Sequence, residues 1–90
     1  MEIKMKILED DLFRTTDFAC ASALLALGFK LELLDRTRSD GRVDFVFRRD
    51  PGIDEAIQAH FSGQLKVSSI EYYSAQRNLK SRLKNELQAE

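Results

Sequence analysis

The sequence predicts a single α+β domain over residues 1–90: a small antiparallel sheet around a central hairpin (30–49), with about three helices (17–27, 51–62 and 69–88) on one face. Three features predict it. Two strand-like runs, Lys30 to Arg36 and Arg42 to Arg49, flank a Ser39-Asp40-Gly41 turn. The segment TTDFACASALLALGF has only Ser22 as a polar side chain between Phe18 and Phe29, so it needs cover on every side. The chain from Ser69 to Gln88 runs without Pro or Gly behind a helix-capping signal. Ninety residues suffice for one small core.

The composition, 43% hydrophobic and 32% charged with one Pro, belongs to a compact ordered chain and excludes a disordered tail. Fourteen Lys and Arg against fifteen Asp and Glu leave no global field to draw the chain onto nucleic acid or an anionic membrane, so any such contact needs a local patch. Cys20 is the only cysteine and has no disulfide partner, which predicts a reduced, cytoplasmic protein. MEIKMKI alternates where a signal peptide would be continuously apolar, and Phe18 to Phe29 falls short of the ~20 residues a membrane span needs. No membrane association is expected.

At the N-terminus, Met1, Ile3, Met5 and Ile7 alternate with charged residues, which offers a third strand, the alternative being an unpaired arm. The first helix takes Thr15 or Thr16 as its cap, gains Asp17 at its positive end, and stops at Gly28 in the left-handed conformation. Phe18, Leu24, Leu25 and Leu27 give it bulk, while Ala19, Cys20, Ala21, Ala23 and Ala26 keep its surface thin. A helix apolar all round is one buried all round.

In the hairpin, a two-residue Asp40-Gly41 loop would set Arg36 against Phe45 and Leu33 against Arg48. A three-residue loop with Gly41 left-handed instead sets Glu32 against Arg48, Arg36 against Asp44, Lys30 against Asp50, Leu33 against Phe47 and Leu34 against Val46. Each matched pair is worth roughly 0.2–1 kcal/mol, so the second register is expected. It puts Leu31, Leu33, Val43, Phe45 and Phe47 on the inner face and leaves Leu34 and Val46 as an outward apolar pair.

Asp50 caps the second helix with Pro51 at its first position; Ile53, Ile57 and Phe61 face inward, and Gly63 ends it. His60, beside that stripe, has no adjacent nucleophile. Ser68 and Glu71 form a capping box before the last helix, which has an apolar seam of Tyr72, Leu79, Leu83 and Leu87 and a basic edge of Arg77, Lys80 and Lys84.

Four stretches together carry a resemblance: Thr15-Thr16-Asp17, the small and leucine-rich run Ala19 to Gly28, the strand Val43 to Phe47, and Phe61 to Gly63. Over roughly Phe13 to Leu83 the chain resembles the small bacterial domain of unknown function, family 5659. The resemblance implies an origin in bacteria, their phages or mobile elements. It brings no activity, cofactor or site residue.

No phosphate loop, paired His or Cys spacing, or acid-base constellation is present in the sequence, so neither catalytic and metal residues nor a cofactor are expected. The expected function is a non-catalytic binding or assembly module, meeting a protein partner or a second copy through Leu34, Val46, Leu79, Leu83 and Leu87. The alternative is a nucleic-acid-binding accessory using Arg38, Arg42, Arg49, Arg77, Lys80 and Lys84, since guanidinium and ammonium groups suit phosphate.

Overall fold

The computed structural model describes residues 11–88, with side chains through residue 86. Three strands and three helices follow in the order β1 (Leu12–Thr15), α1 (Phe18–Ala26), β2 (Leu31–Asp35), β3 (Asp44–Arg48), α2 (Ile53–Phe61) and α3 (Ser69–Gln88). The sheet order is β1-β3-β2, antiparallel throughout, so the hairpin's second strand is the middle one. This is the predicted small α+β fold. The third strand is Leu12–Thr15; the alternating segment Met1 to Ile7 lies outside the described residues.

Helix α1 starts one residue later than a Thr cap would place it. Asp17 is the cap, its carboxylate accepting from the Cys20 N–H at 3.0 Å, and the Thr15 hydroxyl accepts from the Asp17 N–H. At the other end Gly28, with φ 97°, donates to the Leu25 carbonyl while Phe29 donates to that of Leu24, closing a paired C-terminal cap that only a left-handed residue permits. Between these caps Cys20 to Leu24 are buried, and α1 packs against α3, α2 and β1. The predicted all-round burial is not complete: Phe18, Ala19, Leu25 and Ala26 are half-buried, and the C-cap Leu27 is 41% exposed.

The hairpin register departs from prediction. Leu34 opposes Phe45 and Asp35 opposes Asp44, one residue out of the three-residue-loop register, and a bulge between Leu31 and Leu33 shifts the pairing again so that Leu31 opposes Phe47. An inserted residue inverts the alternation beyond it. Leu31 and Leu34 therefore both face the core, while Leu33 turns outward beside Val46 and is 49% exposed. In place of the predicted outward pair Leu34/Val46, Leu33 shares that face with Val46, and only Leu33 is exposed. Either register brings two leucines of β2 to Phe45 and Phe47; in this one they are Leu31 and Leu34, and Leu33 takes the outward place. Glu32 and Arg48 still meet at 2.9 Å, because long side chains reach diagonally across strands.

Helix α2 begins two residues after its expected start. Asp50-Pro51-Gly52-Ile53 is a turn closed by the Ile53 N–H on the Asp50 carbonyl, with Gly52 at φ 92°, the geometry that Pro followed by Gly favours. Ile53 and Ala56 are buried and Ile57 is half-buried, but Phe61 is 61% exposed. Residues spaced by four drift about 40° per step around a helix, so Phe61 lies about 80° from Ile53 and leaves the core face. Gly63 ends α2 with the same paired cap as Gly28.

On α3, Ser68 caps the first turn with its hydroxyl 3.4 Å from the Glu71 nitrogen. Ala75 and Leu79 are buried, with Leu83 half-buried against the same core as Leu24, Phe45, Phe47 and Ile53. The Ser22 hydroxyl is fully buried without a hydrogen-bond partner. Ser22→Ala is therefore expected to raise stability by about 1 kcal/mol, read as a higher midpoint in urea unfolding, because it removes an unsatisfied group without changing the packing.

Candidate functional site

The outer face of the sheet and the hairpin loop are where most of the arginines sit, and their charges are spent internally. Arg14 meets Asp35 at 2.8 Å and lies 3.9 Å from Asp44, whose other cationic neighbour is Arg38 at 3.7 Å. Asp44 thus pairs with Arg14 and Arg38 and not with Arg36, which donates to the Glu86 carbonyl of α3. The Thr37 hydroxyl, then Arg14, hold the Asp35 carboxyl down to about 2, and Arg38 holds Asp40 well below the usual carboxylate range. Arg38 grips Asp40 through two hydrogen bonds of 3.1 and 2.9 Å. Arg42 donates to the Thr16 hydroxyl. Arg49 bonds the Leu12 carbonyl and Asp54, and its guanidinium lies 5.7 Å from the centre of the Phe13 ring, which ties β1 to the start of α2.

Helix α3 presents a different surface. Ile70, Tyr73, Arg77, Lys80 and Lys84 follow at spacings of three and four, and each is exposed. At 100° per residue they share an arc of about 80°, while the nearest acid of the helix, Glu71, lies about 100° beyond its edge. Ile70 is 76% and Tyr73 61% exposed, and the Arg77 guanidinium sits 5.8 Å from the Tyr73 ring centre. Among the described residues Arg77, Lys80 and Lys84 form no ion pair. This is a surface of hydrogen-bond donors, one aromatic ring and one aliphatic side chain, on the side of α3 away from its seam.

The remaining candidates carry less chemistry. The Cys20 thiol is pushed up to about 11, by burial first and by Asp17 second, so it stays protonated and is a poor nucleophile. His60 stacks its ring edge-on to Phe61 at 4.7 Å and shares a small cleft with Ala23, Leu65, Val67 and Tyr72. An open groove of about 650 Å³ runs along α2 past Glu55, Ile57, Gln58, Phe61 and Gln64. Among the described residues no three His, Cys, Asp or Glu side chains come together as metal ligands could.

Of the residues predicted to meet a partner, Val46 and Leu79 have no exposed surface, Leu34 and Leu83 pack against the core, and the Leu87 side chain lies outside the described residues. Of the predicted phosphate contacts, Arg38, Arg42 and Arg49 are engaged in the fold, at opposite ends of β3, whereas Arg77, Lys80 and Lys84 do come together on one face. Ile70 and Tyr73 went unread in the sequence. Their signal was present in it: both fall on the three-four spacing of the basic edge, opposite the Tyr72, Leu79, Leu83 seam.

The family model described as "Domain of unknown function (DUF5659)" matches residues 10–85. The chain belongs to this family. The DUF5659 match spans all three strands and reaches most of the way along α3, including the whole Ile70 to Lys84 face. No match was found among curated proteins or among solved structures.

Proposed function

We propose that this DUF5659 domain is a non-catalytic binding module whose contact surface is the outward face of α3. The observation that carries the reading is the alignment of Ile70, Tyr73, Arg77, Lys80 and Lys84 on one exposed arc, two of them large and mostly wet. Most of the other residues that the sequence offered for contact are engaged within the fold. Leu79 and Leu83 of the α3 seam pack into the core, and the arginines of β1 and the hairpin are held by Asp35, Asp40, Asp44, Asp54 and backbone oxygens. A rigid helix with its inner side anchored by Ala75 and Leu79 offers the outer side without further ordering cost.

The test is co-purification of the full chain from cells that naturally produce it, a second copy and nucleic acid counted among the products. Tyr73→Glu combined with Lys84→Glu is expected to lose what the wild type retains, with an unchanged circular dichroism spectrum. Leu33→Glu on the sheet and Phe61→Glu at the α2 groove are the comparison variants, both at exposed positions. Retention by the α3 variant, with loss in either comparison variant, moves the contact surface and ends the reading.

A further inference from the structure

Resting on that reading, we infer that the outward face of α3 takes single-stranded nucleic acid, Tyr73 stacking on a base while Arg77, Lys80 and Lys84 contact successive phosphates. Two features choose this occupant. The first is charge: three cations stand in line without an acid among them, on a chain whose overall charge is −1, so attraction is confined to this strip and needs an anion with repeating charges. The second is the side-chain mix. Lysine is depleted in protein–protein interfaces, whereas a line of cations beside an exposed aromatic ring is what sequence-tolerant single-strand binding uses.

The geometry agrees in scale. From Arg77 to Lys84 the helix rises about 10 Å, and from Tyr73 to Arg77 about 6 Å, comparable with the spacing of neighbouring nucleotides in an extended strand. Tyr73 is 61% exposed, and its ring already accepts the Arg77 guanidinium at 5.8 Å, which leaves a face for a base and aligns the cation with the adjoining phosphate. A duplex offers the same charges but keeps its bases stacked out of reach. Single strands are therefore the preferred form.

Fluorescence anisotropy with labelled oligo-dT, across a salt series, tests this on the full chain. Each phosphate contact on a single strand adds about 0.7 to the slope of log affinity against log salt, so changing Arg77, Lys80 and Lys84 together to Gln should flatten it by about 2. Tyr73→Ala should weaken binding roughly five- to hundredfold with little change in slope, and Tyr73→Phe should restore it. Absence of binding at low salt overturns the inference. So does duplex DNA that binds as well as oligo-dT, which would make the face a general phosphate contact, or polyglutamate binding that ignores Tyr73→Ala, which would assign it to an acidic protein. If oligo-dT fails while Tyr73→Glu/Lys84→Glu still loses the co-purified partner, the binding-module reading stands and only its ligand class falls.

Discussion

Leu24→Asp should abolish the folded state. Leu24 has no exposed surface and lies in a cluster of Cys20, Ala21, Phe45, Phe47, Ile53, Ala56 and Leu79, none of which can pair with a carboxylate. An unpaired charge there costs several kcal/mol even after it protonates or draws in water, against a total of about 5–15 kcal/mol for a typical domain. Circular dichroism should show loss of the cooperative melt. Leu27→Gln, on the same helix at a position 41% exposed, should melt close to wild type. A Leu24→Asp protein with a native melting transition would mean that α1 does not fill the core.

Phe47→Ala should cost roughly 3–5 kcal/mol, the price of a large cavity in a core that can only partly collapse. Phe47 stands on the central strand, between Phe13 of β1 and Leu31 of β2, with no exposed surface. For a chain of this size the melting temperature should fall by roughly 12–40 °C. Phe61→Ala is the informative partner. At 61% exposure it should change stability by less than about 0.5 kcal/mol. Equal losses from the two phenylalanines would place Phe61 back in the core, where its four-residue spacing from Ile57 had suggested it belongs.

Neither variant touches the outer face of α3, so both test the scaffold separately from the binding surface. That separation follows from the build of the helix. Tyr72, Ala75, Leu79 and Leu83 hold it to the body of the protein, and the residues offered to a partner point the other way.

The sequence by itself determined what short-range physics controls. The extents of α1 and α3, the ends of α1 and α2 at Gly28 and Gly63, and the positive φ of Gly41 were legible because a cap or turn depends on a few adjacent residues. The apolar character of Cys20 to Leu24 required burial whatever the partners were. The basic edge of α3 was legible too, as a matter of helical spacing. Tertiary structure decided the rest. Leu33 and Leu34 are adjacent and chemically identical, so only competition for space beside Phe45 and Phe47, resolved by a bulge, selected which of them faces inward. Likewise Arg38, Arg42 and Arg49 look as available in sequence as Lys80 and Lys84. Arg38 finds Asp40 two residues along its own loop, but the Thr16 hydroxyl and the Leu12 carbonyl reach Arg42 and Arg49 only when β1 is brought beside the hairpin, which leaves the unpaired charge on α3.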